Sequence, residues 1–139
     1  MFMETTFKGV VYPAQTDAMG HMTVQYYVAA FDQAFWHLVS ELGYKTAWRL
    51  ERNEGWADVR YEIDYKDELK VGDIYRVESE VARVGNSSIT TRHVIRNSED
   101  QICAKITMIS VYFDLKARKA KPIPDAVASA ASSRLQISE

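Results

Sequence analysis

The stretch TVQYYVAAFDQAFWHLVSELG, residues 23–43, decides the fold. Within it Tyr27, Ala30, Phe31, Ala34, Phe35, Leu38, Val39 and Leu42 recur at spacings of three and four, the stripe of an amphipathic helix. Thr23 stands where a helix is capped, and Gly43 where one ends. Val24, Val28, Ala29 and Trp36 fall off the main stripe, so the polar face (Asp32, Gln33, Ser40, Glu41) is narrow in the first turns. A helix apolar around so much of its girth needs to be wrapped.

The flanking sequence supplies the wrapping. Thr6 to Tyr12 reads as extended and stops at Pro13. From Ala57 to Tyr65, Val59, Tyr61, Ile63 and Tyr65 alternate with Asp58, Arg60, Glu62 and Asp64, the period of a strand with one wet face. Asp73 to Val84, Ser88 to Arg96 and Ile102 to Phe113 are further extended runs, with Gly85-Asn86 and Asn97-Ser98-Glu99-Asp100 as hairpin connections. Five strands, with one helix inserted after the first, predict an α+β protein whose antiparallel sheet packs on that helix. The tail, 126–139, is expected as a short helix or a frayed end.

A chain of 139 residues supports one core, so 1–139 is expected to be a single domain. The net charge of -2 provides no broad positive field, which argues against nucleic acid and membrane surfaces as partners. Cys103 has no other cysteine to pair with, which fits a reducing compartment. The first residues carry no basic and apolar leader, and no run approaches the ~18 apolar residues of a membrane span, so a cytoplasmic location is expected.

Chemistry concentrates in the loop before the helix. Asp17 is the only acid between Glu4 and Asp32, and the loop runs straight into a helix N-terminus. Backbone N–H groups around Met22, Thr23 and Val24 are expected to be free there and could hold a developing oxyanion. A carboxylate beside such a site hydrolyses a thioester by attacking the carbonyl or by activating water, and the residues alone leave both routes open. They also leave open an Asp17 that merely braces an Asx-turn. His21 either orients substrate or braces the same loop. His37 and His93 lack metal-ligand spacing, so neither a metal nor a cofactor is expected, and Cys103 reads as packing.

The run Thr16-Asp17-Ala18-Met19-Gly20-His21-Met22-Thr23, followed by Tyr27 and Phe31, resembles the signature of the 4-hydroxybenzoyl-CoA thioesterase-like hotdog family. Residues 61–65, 69–73 and 119–124 resemble its later landmarks in the expected order. Met19-Gly20-His21-Met22 replaces the Gly-Gly-Val-Val-like run of founding members and resembles the Gly-His-Met-Asn version of other branches, which leaves the acyl group open.

The resemblance implies a hotdog fold, a five-stranded antiparallel sheet wrapped around one long central helix. It implies acyl-CoA hydrolysis with Asp17 as the catalytic carboxylate and helix-start amides polarising the thioester carbonyl. It also implies a homodimer, or a homotetramer built from dimers, with each site between subunits. The hairpin residues Asn86, Ser87 and Ser88 would lie near CoA, and Arg83, Arg118, Lys119 and Lys121 are candidate partners for its phosphates. Met19, Tyr26, Tyr27, Val59 and Tyr61 are the candidate acyl pocket. Two other functions share these features. One is a non-catalytic module that binds acyl-CoA or an acyl-carrier thioester; the other is a hydratase or dehydratase, which would need His21 poised with Asp17.

Overall fold

The computed structural model describes residues 3–135. Strand β1 (Glu4–Val10) leads through a 3-10 turn (Pro13–Gln15) and the Asp17 loop into helix α1 (Val24–Glu41), followed by the short α2 (Trp48–Glu51). Four strands come next: β2 (Glu54–Tyr65), β3 (Ile74–Val84), β4 (Ser88–Asn97) and β5 (Ile102–Asp114). The two-residue β6 (Lys119–Ala120) and helix α3 (Asp125–Ser133) complete the order. The strands lie in the order β1-β3-β4-β5-β2, every pairing antiparallel, with β6 attached to the end of β5. This α+β sheet around α1 is the hotdog arrangement that the resemblance implies.

The expected stripe is the buried face of α1: Tyr27, Ala30, Phe31, Ala34, Phe35, Leu38 and Val39. It meets Val77, Val81, Ile89, Ile95, Met108 and Tyr112 from β3, β4 and β5 in one core. Each fully buried side chain of this size contributes roughly 1.5–3 kcal/mol relative to exposure, so the stripe alone holds the helix in place. The helix ends as expected, with Gly43 at φ 105° in the left-handed region. Its start differs: Thr23 occupies the cap position, but its hydroxyl makes no cap hydrogen bond and is buried without a partner.

Strand β2 also departs from strict alternation. Its pairing with β5 shifts between Asp58 and Arg60, so Val59 is an extra, bulged residue. Asp58 pairs with Ser110 and Tyr61 with Met108, both of which are buried, and this turns Asp58 towards the helix instead of the wet face. There Asp58 accepts hydrogen bonds from the Tyr61 hydroxyl (2.8 Å) and the Ser110 hydroxyl (2.9 Å).

Of the tail, Asp125–Ser133 forms α3, which packs on β3 with Val127 and Ala131 buried; 136–139 lie outside the described residues. Among the described residues no helix is long and apolar enough to cross a membrane.

The core contains one polar chain. The Thr6 and Ser79 hydroxyls share a hydrogen bond of 2.7 Å, Ser79 Oγ lies 2.5 Å from His93 Nδ1, and His93 Nε2 lies 2.8 Å from the Thr91 hydroxyl. Burial pushes the His93 imidazole from 6.5 down to about 3, so it is neutral in the folded protein. With the folded value below the unfolded one, the contribution to stability is complete above pH 6.5 and is withdrawn as pH falls from 6.5 towards 3. Unfolding free energy from urea titrations should therefore drop by about 1 kcal/mol per pH unit below that point. A stability that stays flat down to about pH 5 would show that the ring accepts a proton inside the core.

Candidate active site

The loop before α1 is built by hydrogen bonds to its own backbone. Asp17 N–H donates to His21 O (2.9 Å), and Gly20, at φ 79°, returns its N–H to Asp17 O (3.0 Å). The exposed Asp17 carboxylate also turns inward: its Oδ1 accepts the N–H groups of Met19 (2.8 Å) and His21 (3.1 Å). The His21 amide, and then the Met19 amide, hold the carboxyl below its ordinary 3.8. Among the described residues the other carboxylate oxygen, Oδ2, has no hydrogen-bond partner. The bracing role and a free reactive oxygen therefore coexist in one side chain.

The segment that follows β2 clamps this loop. Met22 N–H donates to Leu69 O (2.7 Å), Val71 N–H to Gly20 O (3.0 Å), and the buried Tyr27 hydroxyl accepts Leu69 N–H (2.9 Å). The His21 ring faces Glu68, with Nε2 3.1 Å from its carboxylate. That contact supports loop bracing and leaves the His21–Asp17 pairing of a hydratase unformed.

Several expected site residues are corrected by this geometry. Met22 and Thr23 amides are not free, because they donate to Leu69 O (2.7 Å) and Gln15 O (3.0 Å) in closing the loop onto the helix. The N–H groups without a partner among the described residues are those of Val24 and Gln25, the first two of α1. Gln25 was overlooked in sequence, although the rule that a helix leaves its first amides unpaired was enough to find it.

Tyr27 is core rather than pocket wall, with its hydroxyl committed to Leu69 and its ring edge-on to Tyr65. Met19 is 77% exposed at the loop tip and Val59 is 60% exposed on the bulge. Tyr26 lines an open cleft of about 360 Å³ with Gln15, Ala29, Gln33 and Tyr75, while Tyr61 is held by Asp58. Among the described residues, the five candidate acyl-pocket side chains do not line one common cleft.

The expected CoA elements do come together. Hairpin residues Asn86 and Ser87 offer their carbonyls to Ile123 N–H (3.0 Å) and Tyr112 N–H (2.7 Å), which docks the 119–123 segment beside the β3–β4 turn. Ser88 begins β4 there, and its carbonyl accepts Gly85 N–H (2.7 Å). Arg83 and Lys119 are exposed and carry no ion pair among the described residues. Arg118 sits at φ 59° with its guanidinium 5.2 Å above the Phe113 ring. Lys121 is removed from the set: its ammonium is 2.5 Å from the Glu54 carboxylate.

Loop and hairpin lie at opposite ends of β3. Leu69 and Val71, just before its start at Ile74, hold the Asp17 loop, whereas Gly85 follows its end at Val84. Eleven residues of strand separate them, roughly 33 Å at the usual rise.

Sequence reading also missed a pair of carboxyls between α1 and β2. Burial and the Asp58 charge raise the Asp32 carboxyl above its ordinary 3.8, and the bulge at Val59 is what points Asp58 that way. Cys103 is buried, which raises its thiol, as packing requires. No three His, Cys, Asp or Glu side chains among the described residues are grouped to hold a metal ion.

The Tyr27 hydroxyl is the hinge pin of the clamp. Tyr27→Phe leaves Leu69 N–H buried without an acceptor and should cost roughly 1–3 kcal/mol by denaturant unfolding. Amide exchange at 69–71 should speed up with it; unaltered exchange there would show that the clamp does not depend on this bond.

Residues 11–131 match the family model of the thioesterase-like superfamily. No curated protein matches the chain. Among solved structures, a Staphylococcus aureus protein in complex with CoA is 12% identical, with TM-score 0.90, covering 100% of this chain and 90% of its own. A 1,4-dihydroxy-2-naphthoyl-CoA thioesterase from Synechocystis is 20% identical, with TM-score 0.81 and coverage of 92% and 95%. A thioesterase from Thermus thermophilus, complexed with coenzyme A and Zn, is 19% identical, with TM-score 0.79 and coverage of 93% and 92%. At these identities the likeness establishes the fold.

Proposed function

The chain belongs to the thioesterase-like superfamily, and on that premise we propose that it hydrolyses an acyl-CoA thioester to the free acid and CoA, with Asp17 as the reacting carboxylate. The observation that carries this reading is the split use of that side chain. Two amides anchor Oδ1 while, among the described residues, Oδ2 stays unbonded, on a loop that closes directly onto a helix whose first two N–H groups find no partner among them. The CoA held by the Staphylococcus aureus neighbour and the acyl-CoA substrate named for the Synechocystis one indicate the substrate class proposed here.

The chemistry follows from the charges. The thioester oxygen lies against the amides of Val24 and Gln25, which stabilise the negative charge that develops as the carbonyl carbon becomes tetrahedral. Asp17 Oδ2 attacks that carbon, the C–S bond breaks, CoA leaves as thiolate, and water then splits the mixed anhydride to acid and regenerated carboxylate. The alternative is that Asp17 removes a proton from an attacking water. The lowered pKa keeps the carboxyl ionised at neutral pH, the state that both routes require.

Asp17→Asn is the informative variant. The amide oxygen of asparagine still accepts from Met19 and His21, so the loop and acyl-CoA binding should persist while turnover falls by about a hundredfold or more. Thiol-release assays across aliphatic, aromatic and cationic acyl-CoAs measure it. Undiminished turnover removes Asp17 from the chemistry, and binding without turnover in the wild type favours the non-catalytic module, the reading to which the Asx-turn geometry lends its weight. Because the carboxyl is held below 3.8, kcat/KM should show no loss from its protonation between pH 7 and about pH 5.

The proposed site is shared between two copies. The outer edge of β2 has no partner strand among the described residues, and Val59 (60%) and Tyr65 (47%) are exposed along it, an edge that a second copy can pair. Antiparallel pairing of two copies faces the Asp17 loop of one towards the hairpin of the other, which reconciles their separation within a chain. Mixing Asp17→Asn with an Arg118→Glu variant, each inactive alone, should restore measurable hydrolysis after subunit exchange. A mixture that stays inactive places both elements on the same subunit's site.

A further inference from the structure

A buried carboxylate tied to the docked 119–123 segment belongs to Glu54, at the first position of β2, and both of its carboxylate oxygens and its backbone carbonyl are engaged. Its Oε1 accepts the hydroxyl of Tyr112 in a short hydrogen bond, its Oε2 pairs with Lys121 Nζ at 2.5 Å, and its backbone carbonyl accepts the Tyr44 hydroxyl at 3.2 Å. Burial pushes the Glu54 carboxyl up, but Lys121 and Tyr112 outweigh it, so the group stays ionised and the pair stays charged. Glu54 is 7% exposed and Tyr112 is fully buried, a placement in which a charge persists only when matched.

Tyr112 joins this charge pair to the hairpin. Its N–H donates to Ser87 O (2.7 Å), its carbonyl accepts Lys121 N–H (3.0 Å), and its hydroxyl reaches Glu54. The closed circuit Glu54–Lys121–Tyr112 thus straps 119–123 across β5, while Ile123 N–H donates to Asn86 O (3.0 Å) on the far side. At the start of the strap stand Arg118, held in the left-handed region at φ 59°, and Lys119, whose strand pairing with Asp114 fixes its direction. The strap therefore sets where these two cations stand relative to Asn86, Ser87 and Ser88.

We propose that Glu54 is a positioning residue for the coenzyme: through Lys121 and Tyr112 it holds the Arg118–Lys119 segment against the β3–β4 hairpin, so that the two together receive the phosphates of CoA. This rests on the acyl-CoA reading above. The charge of Lys121 is spent on the strap, and Arg118 and Lys119 are the cations the strap presents to phosphate; Arg83, also without an ion pair among the described residues, stands on β3 outside the strap. The Asp17 loop is held at the other end of the sheet, outside the circuit, so a thioester lacking the nucleotide is expected not to depend on it.

The test compares wild type, Glu54→Gln and Tyr112→Phe in three measurements: CoA affinity by titration calorimetry, KM for an acyl-CoA, and turnover of the same acyl group on N-acetylcysteamine. Both variants should weaken CoA and raise the acyl-CoA KM by about tenfold while the N-acetylcysteamine thioester is hydrolysed as by wild type. Lys121→Met should match the loss of CoA affinity, and Lys121→Arg should recover most of it. Unchanged CoA affinity overturns the proposal, and so does an equal loss on both substrates, which marks a purely structural role. If the wild type binds CoA but hydrolyses no thioester, the hydrolase reading fails while a variant-dependent affinity still supports the strap. A wild type that binds no CoA overturns both.

Discussion

Burial of the α1 stripe is the constraint on which the rest of the structure depends. Phe31, Ala34 and Val39 are completely shielded, and they share their core with strands that lie far along the chain from the helix, β3, β4 and β5 together. A helix apolar around this much of its circumference is stable only inside a curled sheet, which forces the chain to enter the helix from the sheet's margin and leave it at the opposite end. That entry point is the Asp17 loop. The site's location is thus a by-product of how the core is closed.

Once the loop is pinned between the core and the Leu69 segment, satisfaction of its polar groups dictates its chemistry. The turn consumes the amides of Met19, His21, Met22 and Thr23, and the first two are consumed by Asp17 itself. Among the described residues one oxygen of the Asp17 carboxylate and the first two helix amides stay unpaired, an acceptor and donors on neighbouring parts of the chain. Polar groups left unsatisfied at the edge of a well-bonded fold are the ones available to a ligand. The bracing of Asp17 and its proposed reactivity are therefore two consequences of the same pair of hydrogen bonds.

The other end of the sheet is organised by charge instead. The Glu54–Lys121 pair with Tyr112 fastens a peripheral segment to the end of β5, and it does so with groups that composition alone counts as ordinary surface charge. Between the two ends, the Val59 bulge re-aims Asp58 at Tyr61, Ser110 and the Asp32 region of α1. The contacts of Asp58 with Ser110 and of Glu54 with Lys121 join residues 52 and 67 positions apart in the chain.

By itself the sequence determined the helix and its buried face, the strands, the sheet class, and the loop with a lone acid at the helix mouth. All of these are local: spacing of apolar residues at three and four, alternation at two, and punctuation by Pro13, Gly43 and the Gly85-Asn86 turn repeat the geometry of a helix or strand directly. Tertiary structure alone decided which amides remain free, because Met22 and Thr23 find acceptors in Leu69 and Gln15. It also decided that the Tyr27 hydroxyl is committed to Leu69, that Lys121 belongs to Glu54, and that one extra residue at Val59 turns Asp58 towards Ser110. The physical reason is common to all four: a hydrogen bond or a strand register is settled by the partner that folding brings alongside, and periodicity within a segment carries no information about that partner.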